Sequence, residues 1–111
     1  MMTRFAVATD GDVVAPHFGR CEAYTIVDIE DGQLGRQERI GNPGHEPGFL
    51  PGYLAERGVN CIIAGGMGPR AQQLFEQRDI QAVVGVSGAI ADTIELLLRG
   101  ALRGGESTCD H

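Results

Sequence analysis

The stretch Val59-Asn60-Cys61-Ile62-Ile63-Ala64-Gly65-Gly66-Met67-Gly68-Pro69-Arg70-Ala71 decides the fold. Its first six residues form a β-branched, apolar run that suits a strand covered on both faces. Gly65 to Gly68 turn the chain, and Pro69 is placed for the first turn of a helix with Ala71, Leu74 and Phe75 on one face. A buried strand that feeds a helix through a glycine turn is the unit of a parallel α/β sheet. Towards the N-terminus, Phe5-Ala6-Val7-Ala8 is a second wholly apolar run, closed by Thr9-Asp10-Gly11. Tyr24 to Ile29 is β-branched and aromatic, and Asp31-Gly32 follows it as a hairpin turn. Its partner, Leu34 to Ile40, carries Arg36, Glu38 and Arg39, the composition of a guarded edge strand. After a Gly/Pro loop over 41–52, Leu50, Pro51, Tyr53 and Leu54 predict a short helix. Downstream, Ile80 to Val86 reads as a fifth strand, and Ile90, Ile94, Leu97, Leu98 and Ala101 predict a helix over 89–101.

The order β, β-hairpin, α, β, α, β, α predicts an α/β sandwich built on a mixed five-stranded sheet with three helices. Strands one, four and five are expected to be parallel and central, with the hairpin at one edge. The domain spans 1–103, and residues 104–111 read as a flexible Cys-x-His tail. At 111 residues, 42% of them hydrophobic, the chain suits one domain with a real core. No window reaches the roughly 20 apolar residues that a membrane span needs. The N-terminus has no signal-peptide pattern, so the chain reads as cytoplasmic. All nine basic residues are arginines, scattered singly on a chain of net charge −6, which argues against a nucleic-acid partner. Three cysteines cannot all pair, and cytoplasmic thiols stay reduced, so a disulfide scaffold is excluded.

The soft donors gather outside the apolar runs. His17 and Cys21 lie in Pro16-His17-Phe18-Gly19-Arg20-Cys21, His45 in the Gly/Pro loop, and Cys109 and His111 at the end of the chain. Imidazole and thiolate favour zinc, copper or iron–sulfur species over magnesium or calcium. In an extended tail Cys109 and His111 project to the same side, roughly 7 Å apart. The bland alternative is that His17 hydrogen-bonds within a loop and the tail is merely disordered. Cys61, inside an apolar strand, reads as a small hydrophobe. Gly66-Met67-Gly68-Pro69-Arg70-Ala71 fits a loose G-x-G-x-x-A pattern, and amides at a helix start with Arg70 can cradle an anion. Pro69 removes one such amide, and no acidic residue stands at the expected ribose offset, so a nucleotide site is not favoured. Asp10, Asp12 and Asp28 raise a two-metal nuclease as a third reading, against which the missing basic surface counts. No Ser-His-Asp, P-loop or H-E-x-x-H pattern occurs, so nothing demands an enzyme.

With these segments in place, the chain resembles the dinitrogenase iron–molybdenum cofactor-binding family. The matching stretches are Ala8-Thr9-Asp10-Gly11, His17-Phe18-Gly19-Arg20-Cys21, Asn42-Pro43-Gly44-His45-Glu46-Pro47-Gly48, Ile63 to Ala71, and Cys109-Asp110-His111. They occur in order over essentially the whole chain. The resemblance implies a ribonuclease H-like fold without nuclease activity, and the non-catalytic binding, carriage or insertion of an iron–sulfur or iron–molybdenum-type cluster, as by nitrogenase accessory carriers. It implies His17 as the leading metal ligand, with Cys21, His45, Cys109 and His111 as further candidates. Gly65, Gly66, Met67, Gly68 and Arg70 would contact the cluster or an organic acid on it. Partners would be cluster donor and acceptor proteins, and a homodimer is compatible with this role. A zinc-binding module using Cys109 and His111 with His17 or His45 is the alternative.

Overall fold

The computed structural model describes residues 2–44 and 49–100, so His45, Cys109, His111 and the predicted tail lie outside the described residues, as does Ala101. The sheet is mixed and is built around β1 (Met2–Asp10). On one side β1 pairs antiparallel with β3 (Ala23–Glu30), and β3 pairs with the outer strand β4 (Gln33–Gly41). On the other side β1 pairs parallel with β5 (Cys61–Ile63), and β5 with β6 (Gln81–Val83). The hairpin between β3 and β4 turns at Asp31 and Gly32, both with positive φ (52° and 77°), as a tight Asp-Gly hairpin turn requires.

Two expectations need correction. The fifth predicted strand, β6, is at the edge of the sheet, not at its centre. The sheet also has a sixth strand, β2 (Val13–Val14), which folds back on the end of β1 to pair Thr9 with Val14 and Asp10 with Val13. Two residues are too few to show a period, so β2 left no trace in the pattern of apolar positions.

Strand alternation divides the core into two. Ala6, Ala8, Tyr24, Ile26 and Ile62 face α1 (Phe49–Glu56) and α2 (Pro69–Gln77). Val7, Val27, Ile29, Cys61 and Ile63 face α3 (Ile90–Leu98). β1 and β3 therefore bury both faces, while every residue of β4 except Ile40 is exposed. Cys61 is a core residue as expected, and burial pushes its thiol up to about 12. No helix among the described residues is long and apolar enough to cross a membrane.

Candidate functional site

The chain leaves β1 towards β2 and β3 on one side of the sheet, and leaves β5 towards β6 on the other. Beyond the carboxyl ends of two adjacent parallel strands, such diverging connections open a crevice where ligands bind in α/β proteins. Here the segment after β2 runs across that gap. The Ala15 N–H donates to the Ala8 carbonyl (2.8 Å), the Gly65 N–H to Ala15 (2.8 Å), and the Phe18 N–H to Gly66 (2.9 Å). The approach is close enough to dictate composition. A Cβ on Gly65 would stand 2.8 Å from Pro16 Cα, and one on Gly66 would stand 2.9 Å from the Pro16 oxygen. The two glycines are there because another stretch of backbone is.

Phe18 then anchors a 3-10 turn (Phe18–Arg20). Its ring is buried, edge-on to Phe75 of α2 (centroids 5.2 Å apart) and tilted against Tyr24 of β3 (5.7 Å). Its carbonyl accepts from the Tyr24 hydroxyl (3.1 Å) and the Cys21 thiol (3.3 Å). Asn42 Nδ2 donates to the Cys21 carbonyl at 2.9 Å, which ties the end of β4 to the same turn. With Phe18 pinned inward, the neighbouring His17 is exposed, and its side chain does not cap the turn.

His17 stands on the wall of a cleft of about 810 Å³. The cleft is also lined by Gly66, Met67, Gly68 and Arg70, from the turn into α2, and by the apolar Leu50, Pro51 and Leu74. Gly68 caps α2 without a side-chain bond, and Pro69 opens the helix as expected. The structure thus brings together five residues singled out from the sequence: His17, Gly66, Met67, Gly68 and Arg70. Gly65 lies behind the wall, packed on Pro16. Cys21 is buried beneath the turn with 4% of its surface exposed, and burial raises its thiol above the ordinary range. As it stands, this cysteine holds the His17 turn in place and faces the core. Arg20 also lines the cleft; sequence reasoning quoted it but assigned it no role.

The three carboxylates of the nuclease reading do not gather. Asp28 takes a two-pronged ion pair from Arg4 (2.6 and 3.0 Å), which holds its carboxyl below the usual carboxylate range. Asp10 accepts from the Glu22 N–H (3.0 Å) at the other end of β1, roughly 20 Å along the strand from Arg4. Among the described residues, no three His, Cys, Asp or Glu side chains converge as a site for a single metal ion.

Fold and cleft together define a small α/β protein with a ligand-sized crevice at the ends of its parallel strands. Over residues 1–100 the chain matches the dinitrogenase iron-molybdenum cofactor family, and it belongs to that family. It is 36% identical over 106 residues to the uncharacterized protein MJ0580 of Methanocaldococcus jannaschii, covering 91% of this chain and 90% of that one. Among solved structures it is similar to the protein PH0822 (TM-score 0.87, 32% identity, covering 94% of this chain and 96% of that one). It is also similar to the apo form of the orange protein from Desulfovibrio gigas (TM-score 0.76, 25% identity, 96% and 95% covered).

Proposed function

We propose that this chain binds and carries a metal–sulfur cluster, of iron–sulfur or iron–molybdenum type, in the cleft beside His17, and catalyses no reaction of its own. The observation that carries the reading is the exposed His17 imidazole, fixed by the buried Phe18 on the wall of a cleft large enough for a cluster. Family membership supplies the class of cargo. An imidazole that protrudes from a rigid turn is a ligand that can be offered and withdrawn without unfolding anything, which suits a carrier. Met67 adds a polarizable thioether to the lining of the same cleft. Further ligands among His45, Cys109 and His111 belong to this proposal, as do a cytoplasmic location, donor and acceptor proteins as partners, and a ribonuclease H-like ancestry for the sheet.

Anaerobic reconstitution with iron and sulfide, with and without molybdate, tests the reading through absorption and metal and sulfide counting. The expected result is a coloured protein with acid-labile sulfide that His17→Ala loads poorly at unchanged melting temperature. A wild-type chain that stays colourless under every donor would overturn it.

A further inference from the structure

Four arginines of the described chain pair with a carboxylate: Arg4 with Asp28, Arg36 with Glu38, Arg39 with Glu22, and Arg99 with Glu95. Of the other four described arginines, Arg20, Arg57, Arg70 and Arg78, the first and third line the cleft. Among the described residues neither has an ion-pair partner, and both are exposed on the lining of the same cleft. They come from two different segments that line it, one from the His17 turn and one from the first turn of α2. No Asp or Glu among the described residues lines that cleft, although the whole chain carries fifteen acidic residues against nine basic ones. On so acidic a chain, a crevice whose described lining holds two exposed guanidinium groups and no carboxylate is a local inversion of charge.

A second observation bears on the same place. Each of these arginines has a glycine close by, Gly19 and Gly68, and a Cβ at either would meet nothing within 4 Å. Gly68 has ordinary extended dihedrals (φ −66°, ψ 156°) that any residue adopts. Packing therefore explains Gly65 and Gly66 but neither Gly19 nor Gly68. Both glycines line the cleft, and backbone without a Cβ there lets a bound group approach the main chain closely.

We infer that Arg20 and Arg70 form an anion clamp in the cleft, which selects cargo of net negative charge and excludes neutral or cationic metal species. This deepens the cluster-carrier reading and rests on it: His17 supplies the coordinate bond, and the two arginines supply charge recognition. Guanidinium groups suit an anion with several acceptor atoms, such as the sulfides or carboxylates at a cluster's edge. A cationic crevice on an acidic surface also focuses the field, so the clamp raises capture as well as retention.

Anaerobic titration with a water-soluble, thiolate-capped [4Fe–4S] dianion, at 0.02 M and 0.2 M NaCl, tests the clamp. The proteins are the full chain and its Arg20→Gln, Arg70→Gln, doubly substituted, Arg20→Lys/Arg70→Lys and His17→Ala variants. At low salt each single glutamine variant should bind about five- to tenfold more weakly, and the double variant about fiftyfold. The double variant should also lose most of the wild-type salt dependence, and the lysine variant should restore it. His17→Ala should weaken binding at both salt concentrations while keeping the salt dependence. Both arginines lack structural partners, so unchanged melting temperatures are expected and can be checked. Wild-type affinity in the double glutamine variant, or a loss equal at both salts, would overturn the clamp and leave the carrier reading standing. Failure of the wild-type chain to bind would overturn both.

Discussion

At the scale of single residues, glycines that look alike in the sequence do different work. Gly65 sits against Pro16 Cα with no room for a methyl group, and backbone cannot step aside as a side chain would. Gly65→Ala should therefore cost about 1–3 kcal/mol of stability, the cost of overpacking, and displace the His17 turn. Gly68→Ala should leave the melting temperature within error, because its methyl meets nothing, and should weaken cluster binding, because Gly68 lines the cleft where the proposed cargo sits. Chemical denaturation of both variants separates packing from site. A similar contrast holds for Asp28, read as a catalytic candidate and found to be the partner of Arg4. Its lowered folded-state pKa means that the unfolded chain binds the proton more readily. The stability it contributes is thus fully present above the unfolded value near 4, and is lost as pH falls through the folded one. Asp28→Asn should cost about 2 kcal/mol at pH 7. The gap between variant and wild type should narrow steadily as pH falls from about 5 to 2. A gap independent of pH would place the loss in packing instead of charge.

Among the elements, what was legible followed locality. The β3–β4 hairpin, the start of α2 at Pro69 and the buried run of β5 are written in contiguous residues, and they stand where the sequence put them. The edge position of β6 depends on which strands pair across the chain, and no short window carries that information. The site divides in the same way. His17 and the Gly66 to Arg70 turn were legible as motifs, whereas their meeting across the ends of β1 and β5 is a product of the sheet path. Leu50 and Leu74 read as helix-face residues and turn out to line the cleft as well. Cys21 read as a loop donor because it follows Arg20 and Gly19, but the turn folds its thiol inward. α2 is the element on which this assembly leans, through the buried Phe75 and its edge-to-face contact with Phe18. Phe75→Ala should cost about 3–5 kcal/mol, which is large for so small a domain. Phe75→Leu should cost much less while still loosening the turn. Hydrogen exchange at the Phe18 amide, which is bonded to Gly66, should accelerate in both variants.

For the whole molecule, the proposed carrier role requires more than one imidazole to retain a cluster. Among the described residues His17 is the sole His or Cys lining the cleft, so on the carrier reading further donors would come from residues 45 and 104–111 or from a second copy of the chain. The two sources differ in stoichiometry: one cluster per chain, or one per two. Each copy carries a net charge of −6, and an anionic cargo adds to the repulsion between copies, so donors within one chain are favoured. Cys109 and His111, covalently attached, also enjoy an effective concentration that a free second copy must match. We therefore expect one cluster per chain. A chain ending at residue 103 should release its cluster to a chelator several-fold faster, because a donor that closes after capture acts mainly on the off-rate. Its apo form should melt within about 2 °C of the full chain, since Gly104-Gly105-Glu106-Ser107-Thr108-Cys109-Asp110-His111 contains no large apolar side chain to bury. The doubly substituted Cys109→Ala/His111→Ala chain should reproduce the faster release at full length. Equal release rates in all three chains, together with half-stoichiometric loading and a doubled mass in solution, would move the missing donors to a second copy, with two His17 side chains facing one cluster.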